Sequence, residues 1–103
     1  MKPIGTHNYY VYILTNKTKT VLYTGVTNNL KVRLHQHQED AKNSKPTFAG
    51  KYNAVYLVYY EHFQHVEHAI TREKQIKGWT RLKKENLITG FNKNWSFLNQ
   101  EVD

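Results

Sequence analysis

Apolar and polar positions alternate in two short blocks near the start of the chain, then change period. YYVYIL at 9–14 and TVLYTGV at 20–26 are rich in β-branched and aromatic residues, the composition of strands. Polar NKTK at 16–19 separates them, so a hairpin with a four-residue loop is the expected connection. With Thr15 facing Thr20, that register sets Tyr12 opposite Tyr23, where cross-strand neighbours on one face work as a pair. From Leu30 the repeat becomes helical. Leu30, Leu34, His37 and Ala41 follow the capping-type residues TNN at 27–29, which predicts a helix over about 29–41. Residues 42–53, with Pro46, Gly50 and little periodicity, read as a loop. AVYLVYYEHF at 54–63 is a third strand, apolar enough to be central in a small sheet. A second helix is expected over about 65–77, closed by Gly78, and a third over 80–88 behind the capping Thr80. In the tail, Phe91, Trp95, Phe97 and Leu98 are available for packing. The order β-β-α-β-α-α defines an α+β domain over 1–103, with 1–8 and 99–103 expected to be flexible.

One polar residue breaks this pattern. Val66, Ala69, Ile70 and Ile76 set the apolar stripe of the second helix, and Glu73 falls in its middle. A carboxylate turned inward needs a cation, a metal or strong donors beside it. The plain structural answer is an ion pair with Arg33 or another base. Residues 72–84, REKQIKGWTRLKK, offer Arg72, Lys74, Lys77, Arg81, Lys83 and Lys84 around Glu73 as the only acid. A basic strip around one inward carboxylate suits phosphate binding with a single divalent cation. It does not suit a two-metal site, which needs several carboxylates. Many of those lysines can equally be a solvated helix face.

Composition sharpens the choice of partner. Fifteen Lys+Arg against 8 Asp+Glu give a net charge of +7 and a pI near 9.6, which favours a polyanion through counterion release. Eight Tyr, 4 Phe and 2 Trp add rings able to stack on bases. There is no Cys, so disulfides, cysteine zinc sites and a cysteine nucleophile are excluded. No apolar run approaches the roughly 20 residues of a membrane span, and the start lacks the apolar stretch of a signal peptide. The expected compartment is the cytoplasm.

VYI at 11–13, YTG at 23–25, Arg33, His37 and Glu73 within REKQIKGW together resemble the GIY-YIG nuclease domain. More narrowly, the chain resembles the small standalone bacterial members, over about Tyr9 to Trp95. The spacing carries the likeness: ten residues from Tyr23 to Arg33 and four more to His37. Val11 replaces the first Gly of the family signature and Thr24 the Ile of the second, but both tyrosines and Gly25 are kept. The resemblance implies a three-stranded antiparallel sheet flanked by helices and divalent-metal-dependent hydrolysis of DNA phosphodiesters. It implies Glu73 as the single ligand of Mg²⁺ or Mn²⁺, with Tyr12 and Tyr23 lining the site. Arg33 would bind the scissile phosphate and His37 would assist proton transfer. The late family Asn corresponds better to Asn92 than to Asn86. An arginine fork suits a phosphate better than a lysine does. An ordinary phenol, with a pKa of about 10, needs nearby positive charge to act as a base, which makes His37 a rival for that role.

Two other readings compete. One is a nucleic-acid-binding module with this fold and little or no catalysis, since fold does not fix activity. The other is a zinc-binding structural domain built on His62, His65 and His68, although structural zinc sites use four closed ligands. Each site residue also has an ordinary role open to it: Tyr12 and Tyr23 as a sheet pair, Gly25 as a strand end, His37 as a core histidine. Their combination favours a nuclease that is structure-directed or of low sequence specificity, acting in DNA repair or recombination. DNA is the expected partner, with RNA also admissible, and the expectation is either low sequence specificity or a partner protein that supplies it.

Overall fold

A computed structural model describes residues 8–102. Strands β1 (Tyr9–Thr15), β2 (Leu22–Thr27) and β3 (Tyr56–Phe63) form one antiparallel sheet in the order β2-β1-β3. Helices α1 (Leu30–Lys42), α2 (Phe48–Tyr52), α3 (Val66–Lys77) and α4 (Arg81–Phe91) surround it, and a 3₁₀ turn spans Asn99–Val102. The expected α+β architecture holds. The central strand is β1, not the third strand as its apolar content had implied. An edge strand can be this apolar because helices cover both its faces: Leu57 enters one core, and Val58 and Tyr59 the other. A bulge opposite Ile13 and Leu14 lets Val58 and Tyr59, adjacent in sequence, serve the same core.

The hairpin register also differs from the expectation. Tyr12 lies opposite Gly25, and Tyr23 opposite Leu14. The cause is Asn16, whose Oδ1 accepts from the backbone N–H of Thr20 (2.8 Å) and Val21 (3.3 Å). Those bonds keep 16–21 in the turn, with Lys19 at φ 60°, so pairing starts at Thr15 and Leu22.

Capping places the helices. The side chains of Asn29, Thr47 and Thr80 accept from the backbone N–H of Val32, Gly50 and Lys83 respectively, starting α1, α2 and α4. α2 replaces part of the expected 42–53 loop; five residues are too few to show a period. α4 runs on to Phe91, past the expected end at 88. On α3 the inward line is Ala69, Glu73 and Ile76, whereas Val66 and Ile70, expected on the stripe, are each 38% exposed.

One core, of Val11, Ile13, Val58, Ala69, Ile76 and Ile88, lies beneath α3 and α4; the other gathers Tyr12, Leu14, Leu30, Leu34 and Leu57 beneath α1. In the tail Leu98 is buried and Trp95 half-buried, but Phe91 and Phe97 stay largely exposed. Residues 99–102, expected to be flexible, are tied down: Asn99 accepts from Leu57 N at 2.8 Å and donates to the Val55 carbonyl at 2.9 Å. Of the other residues expected to be flexible, 1–7 and 103 lie outside the described residues. No helix among the described residues is long and apolar enough to cross a membrane.

Candidate active site

β1, β2 and α1 bring four of the sequence candidates together. Tyr12 is 1% exposed, with its ring over the Cα of Gly25; a Cβ at position 25 would lie 2.4 Å from its hydroxyl. The missing side chain is therefore what admits the phenol. Tyr12 Oη and His37 Nε2 are 3.0 Å apart. The Tyr23 ring lies 6.2 Å from that of Tyr12 and 5.5 Å from that of His37, and its hydroxyl acts on Tyr12 as well. One turn before His37 on α1, Arg33 is exposed, and among the described residues its guanidinium has no hydrogen-bond or ion-pair partner.

Burial, reinforced by Tyr23, raises the Tyr12 hydroxyl well above the ordinary phenol range, against the pull of Arg33. Burial and then the Arg33 charge push His37 below the usual imidazole value, with Asp40 opposing. His37 is therefore neutral at neutral pH. Its Nδ1 is buried with no partner among the described residues, an uncommon condition for a polar atom.

Glu73 reaches this cluster from α3, and its charge acts on Tyr12. The ion pair weighed for it with Arg33 does not form. Lys77, one turn along α3, holds the carboxylate at 3.2 Å instead; the glutamate side chain is 14% exposed and the lysine 51%. A half-buried carboxylate that already draws an ammonium to its oxygen is a hard donor facing a cation. With water filling the remaining positions, that donor set fits Mg²⁺ or Mn²⁺.

Other candidates are engaged elsewhere. Asn92 donates to the carbonyls of Val58 (3.1 Å) and Ser96 (2.8 Å) and accepts from Ser96 N, closing the α4 C-terminus onto β3. The basic strip divides. Arg72 bonds Glu61 at 3.2 Å and Gln75 at 3.1 Å and lies over Trp79. Lys83 covers the same indole. Arg81 pairs with Glu85 and donates to the carbonyls of Thr20 and Lys19, clamping the hairpin turn. Among the described residues Lys74 and Lys84 have no ion pair, and Lys77 is the cation beside Glu73.

The zinc reading loses its ligand set. His62 bonds Asn8 at 2.7 Å, the rings of His65 and His68 meet edge to face, and no described trio of His, Asp or Glu converges. Sequence reasoning also missed two neighbours of the site. The Phe48 ring packs 5.2 Å from Tyr23 and the Tyr52 ring 4.7 Å from Phe48. Their i, i+4 spacing behind the capping Thr47 was the available signal.

Residues 8–86 match the model of the GIY-YIG catalytic domain. The chain is 33% identical over 85 residues to a UPF0213 protein of Limosilactobacillus reuteri, covering 82% of this chain and 86% of that one. It is 41% identical over 80 residues to one of Clostridium perfringens, covering 78% and 82%. The solution NMR structure of a UPF0213 protein from Bacillus halodurans is similar at a TM-score of 0.50 and 32% identity, over 80% of this chain and 83% of that one.

Proposed function

Because this chain belongs to the GIY-YIG nuclease domain family, we propose that it is an endonuclease hydrolysing DNA phosphodiester bonds with Mg²⁺ or Mn²⁺ at Glu73. The observation that carries the reading is His37 hydrogen-bonded to Tyr12 beside an Arg33 that has no hydrogen-bond or ion-pair partner among the described residues. Arg33 presents its planar fork to the non-bridging oxygens of the scissile phosphate. Tyr23, the less buried of the two phenols, orients the attacking water.

A free Tyr12 phenolate is disfavoured by burial, so the proton does not rest there. It passes from water through the Tyr23 and Tyr12 hydroxyls to His37 Nε2, which the lowered basicity of that ring lets it release again. When bound, the divalent cation supplies charge stabilisation at the phosphoryl group and the leaving oxygen. Lys74, Lys77 and Lys84 add diffuse attraction for the DNA backbone. The proposed setting is DNA repair or recombination in the cytoplasm, with a partner protein supplying specificity.

The rival reading, a binding module with little catalysis, draws on one observation: the Lys77 ammonium already occupies Glu73. That pair is half open and one helical turn long, so it is a weak competitor for a divalent ion. A cleavage panel of branched, nicked, single-stranded and duplex DNA with Mg²⁺, Mn²⁺ or EDTA tests the two readings. Cleavage with either metal and none in EDTA is expected; DNA binding without cleavage under every condition favours the rival.

A further inference from the structure

Two large rings stand open to solvent beside the proposed catalytic tyrosines. Phe48 and Tyr52, one turn apart on α2, are 37% and 41% exposed. The series His37, Tyr23, Phe48, Tyr52 leads from the buried site to the surface with successive centroid separations of 5.5, 5.2 and 4.7 Å. α2 is not loosely placed. Thr47 donates to Asp40 Oδ2 at 3.2 Å, and Lys45 N bonds the Asp40 carbonyl at 2.9 Å, fixing the segment to α1. Gly50 comes so close to Lys45 that a Cβ there would lie 2.1 Å from the Lys45 carbonyl oxygen. Lys51 Nζ is 5.4 Å from the Tyr52 ring centre, and Lys45 is exposed on the same segment.

Scattered exposed aromatics are ordinary. A fixed pair, continuous with a phosphate site and flanked by cations, serves neither core directly. We propose that Phe48 and Tyr52 are a stacking platform for unpaired bases of the strand being cut. The inference rests on the nuclease reading of the Tyr12–Arg33–Glu73 site and adds the substrate class. Bases within a duplex hide their faces against one another, whereas an unpaired base can lie on a protein ring. The fitting DNA carries single-stranded nucleotides at the cut: a flap, a splayed junction or a single strand. The lysines of 45–51 meet its phosphates.

Affinity measured in EDTA, where no cleavage occurs, separates this platform from the catalytic reading. The probes are a fluorescent single-stranded oligonucleotide and a blunt duplex of the same sequence, with wild type, Phe48→Leu, Tyr52→Leu and the double variant. Leucine keeps apolar contact with Tyr23 but offers no π face. The double variant is expected to lower the ratio of single-strand to duplex affinity at least about tenfold. Tyr52→Leu, which alters only the outer ring, is expected to lower it about threefold or more. A smaller change in either ratio, or equal losses on both DNAs, overturns the platform. A 5-iodouracil in the single strand is expected to photocrosslink to Phe48 or Tyr52 in the wild type, and crosslinks confined to other residues also overturn it. Wild-type protein that binds in this way but cuts nothing with Mg²⁺ or Mn²⁺ would instead refute the nuclease reading and leave the platform standing.

Discussion

Two sets of the same three kinds of group draw on different faces of α3. In the first, Tyr59 donates to Glu61, and Glu61 accepts from Arg72, which bonds Gln75 and stacks on Trp79. Burial and then the Glu61 hydrogen bond push the Tyr59 phenol up to about 12. Each group in that set is partnered. In the second set, Glu73 holds only a half-exposed Lys77, Tyr12 leans on His37, His37 Nδ1 has no partner among the described residues, and Arg33 has none either. Tyrosine, glutamate and cation make a structural brace where every donor finds an acceptor. They make a candidate for chemistry where donors are left over. Neighbours in sequence, Arg72 and Glu73 belong to different sets because adjacent helical residues point about 100° apart.

Exchanging both glutamates tests this contrast most severely. Glu73→Gln is expected to reduce cleavage at least about 100-fold, through loss of the metal ligand and of phosphoryl stabilisation. Its melting temperature should hold or rise, since only an exposed lysine loses its partner. Glu61→Gln should invert the result, losing about 1–2 kcal/mol of stability while cutting within severalfold of wild type. Melting and cleavage on the same preparations decide. A folded Glu73→Gln that still cuts at the wild-type rate would sink the metal assignment.

The arginines give a milder version. Arg33→Lys should lose about tenfold or more in cleavage while DNA affinity changes by less than about threefold, because charge is kept and the fork is lost. Arg72→Lys should lower the melting temperature by breaking the Glu61 and Trp79 contacts, with little selective effect on cleavage. Equal cleavage by Arg33→Lys and wild type would make Arg33 a general electrostatic contact.

Salt separates free cations from committed ones. Affinity for duplex DNA should fall steeply with salt, and Lys74→Ala should reduce the log–log slope by about 1. Arg81→Ala should leave the slope nearly unchanged and destabilise the hairpin it clamps. A flat salt response in the wild type would remove nucleic acid as the main partner.

The smallest effect concerns His37. Its native pKa is lowered, so below the ordinary value of about 6.5 the unfolded chain takes up a proton that the native chain refuses. Stability is thus full above that value and falls as pH drops toward the lowered native one. Denaturant titrations of wild type and His37→Gln at several pH values should show a shallower acid limb in the variant.

The elements were legible because alternation, helical spacing and capping residues are local. Glu73 was legible for the same reason: positions 69, 73 and 76 share one helix face. Other features depended on partners distant in the chain. Nothing near Arg72 or Arg81 announces Glu61 or the hairpin carbonyls, so both read as free surface charge. The five residues of α2 were too few to betray a helix, although Phe48 and Tyr52 already stood one turn apart. The site tyrosines and Arg33 were identified through their spacing and family resemblance, whereas the contact between Tyr12 and Gly25 needed the register. That register lay in the Asn16 side chain, which composition alone shows only as a polar turn residue.

The bare Cα of Gly25 works as a keyway. Hydrophobic alternation guards a sheet against one-residue slips, which would turn every side chain over, but it is blind to slips of two. A two-residue error between β1 and β2 would bring Tyr23 or Thr27 opposite Tyr12, leaving the inside–outside pattern intact. In either misalignment the large phenol meets a side chain where the correct pairing offers none. The ring proposed to relay the proton thereby helps to proofread the hairpin.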